Sequence, residues 1–191
     1  MKRIREYFFK EVFLLKPEVY TDDRGTFSEK FVSKILEQNV GKKISFCQDN
    51  LTHSKRGVIR GLHYQLPPYS QTKLVSVLKG RVLDIVVDIR KGSPTFGKHI
   101  SQELSAENQL QLFISRGFAH GFITLSKTSI FQYKVDQYYY PKSEGSISPN
   151  DPDLGIDWKI PEDEWVQSEK DKKHPTLLKA SVFDFKDDLY A

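Results

Sequence analysis

The middle two-thirds of the chain is a succession of short strand-like runs separated by turn signals, and that spacing restricts the fold to a sandwich or a barrel. The clearest run covers residues 82–90: Leu83, Ile85, Val87 and Ile89 fall on one face of an extended strand, and Asp84 and Asp88 on the other, with Val82 and Val86 between them. Lys79-Gly80 just before it predicts a hairpin turn from a strand over 73–78. Further strands are predicted over 8–15, 26–30, 44–50, 58–64, 100–104, 109–113, 119–125 and 128–136. One helical stretch is predicted over 32–38, where Phe31, Ile35 and Asn39 share a face with Leu36. Beyond Tyr140, prolines 141, 149, 152 and 161 punctuate turns and short elements, and residues 177–185 are apolar enough to pack back on the body. The expected architecture is mainly β: a double-sheet antiparallel jelly roll with short helices and a C-terminal extension. It forms one domain over 1–191, with its core at about 8–136 and its extension at about 141–191.

Composition narrows the function classes. With 38% hydrophobic and 28% charged residues the chain is globular rather than disordered. Its net charge of +4, from 29 basic and 25 acidic residues, is too small and too evenly spread to indicate a nucleic-acid partner. A phosphate-bearing small molecule fits a modest basic cluster equally well. Cys47 is the sole cysteine, which excludes an internal disulfide and a four-cysteine zinc site and favours a reducing, cytoplasmic setting. Lys2, Arg3 and Arg5 precede an apolar stretch that Lys10 and Glu11 interrupt, so no secretory leader is expected. No run approaches the length of a membrane span, and no membrane partner is expected.

The stretch richest in chemistry is Arg60-Gly61-Leu62-His63-Tyr64-Gln65, followed by Pro67, Pro68, Gln71, Lys73, Leu74 and Val75. On a strand, His63 shares a face with Gly61 and Gln65, and a glycine beside a histidine leaves room for close approach to the imidazole. A lone strand histidine is commonly a satisfied core or edge residue. Here Lys73, His120, Tyr133 and Asp171 lie in segments that a jelly roll brings towards one mouth.

An ordered set of motifs extends this stretch. It begins with Asp23-Arg24-Gly25, Phe27 and Glu29, then Gln48-Asp49-Asn50, Val58 through Gln65, and Lys73-Leu74-Val75. It continues through Gly80 to Asp88, Arg90-Lys91-Gly92-Ser93-Pro94-Thr95, and Gly117-Phe118-Ala119-His120-Gly121-Phe122. Tyr133-Lys134, Tyr138-Tyr139, Pro141, Glu144 and Ser168-Glu169-Lys170-Asp171 complete it. From about residue 20 to 180 the chain resembles the dTDP-4-dehydrorhamnose 3,5-epimerases, which are cupin-like enzymes.

The resemblance implies inversion of C3 and C5 in a nucleotide-linked 4-keto-6-deoxy sugar, with no cofactor and no metal. A C4 ketone acidifies the protons on its neighbouring carbons. Inversion then needs a base on one face, a stabiliser for the enolate oxygen and an acid on the other face. In these terms His63 is the base, oriented by Asp171; Lys73 holds the enolate and Tyr133 is the acid. Each has a plainer alternative: Asp171 as a solvated charge in the run 169–173, Lys73 as an exposed strand lysine, and Tyr133 as a packing residue beside Phe131. Asp84 becomes a partner for Lys73 if their strands pair.

Arg24, Arg60 and Lys170 resemble diphosphate or sugar contacts. Phe27, Glu29, Gln48, Asn50, His120 and Glu144 resemble contacts to sugar or base, and Tyr139 resembles the residue that stacks on the nucleobase, with Tyr138 and Tyr140 as rival candidates. The resemblance also implies a homodimer in which the N-terminal portion reaches across the interface. Departures occur at Ser70 and Thr72 around Gln71, and at Ser115-Arg116, where a proline is usual and Arg116 adds charge near the mouth. They leave the nucleotide and sugar open, including inversion at C3 or C5 alone and GDP- or CDP-linked substrates. A metal-dependent cupin needs two histidines one residue apart, whereas Tyr64 and Gln65 follow His63, and His53 and His99 are not placed to supply the second. A non-catalytic sugar-binding cupin has no need for His63, Lys73 and Tyr133 together.

Overall fold

The structure is a computed structural model that describes residues 1–191. Its N-terminal third contains β1 (Lys2–Glu6), β2 (Val12–Lys16), β3 (Val19–Asp22), β4 (Gly25–Ser28), α1 (Ser33–Val40) and β5 (Gln48–Lys55). The centre contains β6 (Ile59–Gln65), β7 (Lys73–Lys79), β8 (Arg81–Asp88), β9 (Arg90–Lys91) and β10 (His99–Ser105). The last strands are β11 (Gln111–Ile114), β12 (Phe118–Thr124), β13 (Thr128–Val135), β14 (Glu144–Ser146) and β15 (Phe183–Asp184). A six-stranded sheet in the order β1-β2-β11-β7-β13-β5 faces a five-stranded sheet in the order β10-β8-β12-β6-β14. Every pairing within these two sheets is antiparallel. This is the expected cupin-like jelly roll. No helix is long and apolar enough to cross a membrane.

β8 shows how the sequence builds the layers. Val82 and Val86 join Val75, Val77, Ile114 and Phe131 in the cluster between the sheets. Leu83, Ile85, Val87 and the following Ile89 lie on the opposite face, packed against Leu154, Trp158, Ile160, Leu177 and Phe183 of the C-terminal segment. The C-terminal segment thus covers the outer face of the five-stranded sheet, as residues 177–185 led one to expect. Each fully buried side chain of this size contributes roughly 1.5–3 kcal/mol.

Several local expectations are corrected. The turn at Gly80 is not a hairpin: β7 and β8 enter opposite sheets, so their apolar faces meet across the sandwich rather than side by side. The strand expected over 8–15 begins at Val12, after a turn in which Phe9 O accepts from Val12 N. That expected over 109–113 begins at Gln111, because Gln109 adopts φ +55°. That expected over 44–50 begins at Gln48; Ile44 is buried instead against Leu36 of α1 and Leu74. β1 was not anticipated, since Lys2-Arg3-Ile4-Arg5-Glu6 is an edge strand whose charges hide any apolar period. α1 ends where Gly41, at φ +81°, donates its backbone N–H to Glu37 O.

Gly61 sits at a bulge where β6 crosses β12: His63 is opposite His120 and Arg60 opposite Phe122, so β6 carries one extra residue. The room beside Gly61 belongs to backbone rather than to a ligand. A Cβ there would stand 2.5 Å from Gly121 Cα and 3.0 Å from His120 O, at φ +137°. Gly61→Ala is therefore expected to destabilise the fold by about 3 kcal/mol or more, combining overpacking with backbone strain. A urea-unfolding midpoint equal to wild type would refute this reading of the bulge.

Candidate active site

The same bulge sets the cavity. Leu62 turns outwards into the cluster under the C-terminal segment, which Tyr64 also joins, while Arg60, His63 and Gln65 line a cavity of about 520 Å³ that Tyr64 borders. His120 and Phe122 on β12 line it from the same sheet; Thr52 on β5, Lys73 on β7, and Phe131 and Tyr133 on β13 line it from the other. Phe122 and Phe131 stack with centroids 4.1 Å apart, forming an apolar wall. Tyr139, Glu144, Lys170 and Asp171 add polar groups to the lining at the rim.

His63 Nε2 donates to Asp171 Oδ1 at 3.1 Å, which leaves Nδ1 of a neutral ring as the lone pair. Asp171 is buried at the start of the 3-10 turn Asp171–Lys173. Burial pushes its carboxyl up, but the hydrogen bond and charge of His63, with smaller contributions from His174 and Ser168, outweigh that and hold it below the usual carboxylate range. His174, which the sequence reading did not single out, lies behind this pair with its Nε2 3.3 Å from the same Asp171 oxygen.

Lys73 is 9% exposed, and its ammonium donates to the carbonyl oxygen of His63 at 3.3 Å. Burial drives its pKa down to about 8, against the opposing charges of Asp84 and Glu144. Asp84 was expected to meet Lys73 across paired strands. Those strands do not pair; its carboxylate acts on Lys73 through its charge and instead accepts from His120 Nε2 at 2.9 and 3.0 Å. Burial pushes His120 down, which keeps the ring neutral, and pushes Asp84 up, with His120 and Lys73 opposing that rise. Tyr133 is raised by burial, with the charge of Arg60 opposing.

At the rim, Glu144 accepts from Tyr139 Oη at 2.8 Å and from Lys170 Nζ at 2.5 Å. Of the three adjacent tyrosines, Tyr139 lines the cavity; Tyr140 stacks on Tyr69, and Tyr138 is 65% exposed. Gln48 and Asn50, bonded to each other, stand beside the rim on β5 rather than in the lining, where Gln48 Oε1 accepts from Tyr139 N. Arg24, Phe27 and Glu29 are not brought to this cavity: they are exposed on and beside the β3–β4 hairpin, with Arg24 paired to Asp22. Arg116 is also not at the mouth. It binds Asp136 and Leu189 O and lies under the ring of Tyr190, docking the C-terminus beside a separate cavity of about 300 Å³.

Gln65 was overlooked. Its amide donates to Tyr69 O and Tyr138 O and accepts from Tyr140 N, clamping the loop that carries Tyr139. Its place on the His63 face of the strand was the available signal. Thr52, Phe122 and Phe131 also escaped, because a wall shared by two sheets leaves no local mark in sequence.

Titratable side chains from both sheets of a β-sandwich, around a cavity of sugar size, fit an acid–base enzyme of the cupin type. Residues 6–179 match the family model for dTDP-4-dehydrorhamnose 3,5-epimerase. A protein of that name from Shigella flexneri is 46% identical over 173 residues, covering 91% of this chain and 94% of its own. The crystal structure of one from Elizabethkingia anophelis superposes with a TM-score of 0.88 at 49% identity, covering 92% of this chain and 96% of that one. The dTDP-6-deoxy-D-glucose-3,5-epimerase of Legionella pneumophila, crystallised with dTDP-4-keto-L-rhamnose, gives a TM-score of 0.91 at 43% identity, covering 95% and 97%. The chain belongs to the dTDP-4-dehydrorhamnose 3,5-epimerase family.

Proposed function

We propose that the protein converts dTDP-4-keto-6-deoxy-D-glucose to dTDP-4-keto-L-rhamnose by inverting C3 and C5 through enolate intermediates. The observation that carries this is the cavity itself: an imidazole held by a carboxylate on one sheet, and a phenol and a buried ammonium on the other, line the same space. His63 Nδ1 removes the proton beside the ketone, and the imidazolium so formed is stabilised by Asp171. Lys73 offers a fixed positive charge to the oxygen that becomes anionic. Tyr133 returns a proton to the opposite face of the ring. Arg60 and Lys170 take the diphosphate, and Tyr139 meets the base. Incubation of the substrate in heavy water tests the whole reading: deuterium should enter both C3 and C5, with an L-configured product. Label at one carbon alone would reduce the activity to a single inversion, and no label would leave a binding protein.

Tyr133→Phe is expected to lower net epimerisation by about 10²-fold while leaving the first deuterium exchange much less affected, since only reprotonation needs the phenol. Equal losses in both would count against this order of events. A second outcome concerns pH. With its pKa at about 8, Lys73 is cationic below that value and loses its charge as pH rises through it. kcat/KM is therefore expected to fall on the alkaline side with a midpoint near pH 8. A profile flat to pH 10 would remove Lys73 as the source of charge.

Action as a homodimer completes the proposal. Its support is the exposed β3–β4 hairpin, which carries Arg24 and Phe27 outside the chain's own cavity and leaves Tyr20 and Phe27 stacked in solvent. The single free thiol, Cys47, accords with a cytoplasmic setting.

A further inference from the structure

His174 has no task in the proposed reaction, yet its position is unusual. Its side chain is 4% exposed, and apart from a weak approach to the backbone of Gly61 the ring nitrogens have no hydrogen-bond partner. Buried imidazoles ordinarily make at least one well-formed hydrogen bond, and this ring makes none. It caps the 3-10 turn that begins at Asp171, and residues three apart on such a turn eclipse one another, which aims both side chains the same way. Nε2 of His174 lies 3.3 Å from Asp171 Oδ1, and Nε2 of His63 lies 3.1 Å from that same oxygen. Ligand atoms from all three residues lie within 4.8 Å of one another. The two imidazole planes meet at 77°, so their nitrogens converge on the carboxylate from different directions.

We propose that His63, Asp171 and His174 form a binding site for a divalent transition-metal ion, with Zn²⁺ as the reference ion, and that occupancy of this site switches the enzyme off. Zinc bonds of about 2.0–2.2 Å to nitrogen and oxygen place neighbouring ligand atoms roughly 3.3–3.5 Å apart on a tetrahedron. The two histidine-to-carboxylate spacings here are close to that, and a small turn of either ring closes the remaining gap between the imidazoles, which is within 4.8 Å. Two imidazoles and one carboxylate make a donor set that zinc accepts, with water in the fourth position. The site differs from the two-histidine pair of metal-dependent cupins, because its second histidine comes from the C-terminal segment and not from β6.

Inhibition follows from tautomer chemistry. In the metal-free protein the proton of His63 is on Nε2 and the lone pair is on Nδ1. Coordination through Nε2 displaces that proton, and the neutral ring then carries it on Nδ1. No electron pair is left facing the substrate, and nothing is oxidised or reduced. Metal binding does not rest on the proposed reaction; only the loss of turnover does.

The native chain, stripped by chelator and held in phosphate-free buffer, is titrated with zinc chloride without substrate, and bound zinc is counted after equilibrium dialysis. One equivalent is expected, with affinity at least tenfold weaker in His174→Ala and in His174→Gln. Turnover is then followed against zinc, with excess magnesium to cover the substrate diphosphate. Wild type should lose activity and recover it with EDTA, while each variant, compared with its own zinc-free rate, should need at least tenfold more zinc. Two variants guard against one failing to fold. Absence of a bound equivalent, wild-type zinc affinity in a folded His174 variant, or stoichiometric binding without inhibition would each overturn the proposal. A chain that binds zinc as expected but never turns over the sugar would fault the proposed function and not this site.

Discussion

Replacing His63 by alanine is expected to abolish deuterium exchange at both C3 and C5, with turnover falling by about 10²–10⁴-fold, the range for removal of a general base. The expectation rests on geometry. Nε2 is committed to Asp171, so Nδ1 is the free lone pair of the ring. Asp171 is itself held below the ordinary carboxylate range, so it remains anionic and stabilises the imidazolium as it forms. The one comparable ring in the cavity is His120, whose Nε2–H is likewise committed to a carboxylate, that of Asp84. Burial lowers its pKa and so weakens it as a base, and the buried Lys73 ammonium is held beside a carbonyl. His63 is 32% exposed at the side chain, so its loss opens no sealed void and the variant should fold. Loss of exchange at one carbon only would mean that a different base serves the other. Normal exchange at both would remove His63 from the mechanism.

How much of this was legible in sequence depends on the range of the signal. Alternation is local, so β8, β12 and β13 were placed nearly to the residue, and the apolar run at 177–185 was rightly read as packing back on the body. The course of the chain at Gly80 was not, because whether a turn closes a hairpin or a crossover depends on which layer each strand joins. The bulge at Gly61 was missed for a related reason. It exists because β12 approaches closely at Gly121, and it moves Arg60 onto the His63 side of the strand where strict alternation put Gly61. In the site, His63, Lys73, Tyr133 and Asp171 were selected by family resemblance, and they line one cavity. What no motif carried was His174, whose meaning comes from a turn placed against β6, far away in sequence.

Lys73 yields the other large effect, with opposite signs on activity and stability. Lys73→Met keeps the length and apolar stem of the side chain and removes only the charge, so packing is nearly conserved. A preorganised charge aimed at a developing oxyanion is commonly worth about 10²–10³ in kcat, and a loss of that size is expected here. Stability should move the other way. Burial lowers the Lys73 pKa from 10.5 to about 8, so between these values the unfolded chain binds more protons than the folded one. Stability therefore rises with pH across that window, and below about pH 8 the cost of burying the cation is present in full. The methionine variant escapes that cost, while Asp84 keeps both contacts from His120. Its melting temperature at pH 7 should equal or exceed that of wild type, and the alkaline rise in stability should shrink. A variant that is both less active and clearly less stable would show that the ammonium holds the sandwich together, and the loss of rate could then no longer be assigned to the enolate.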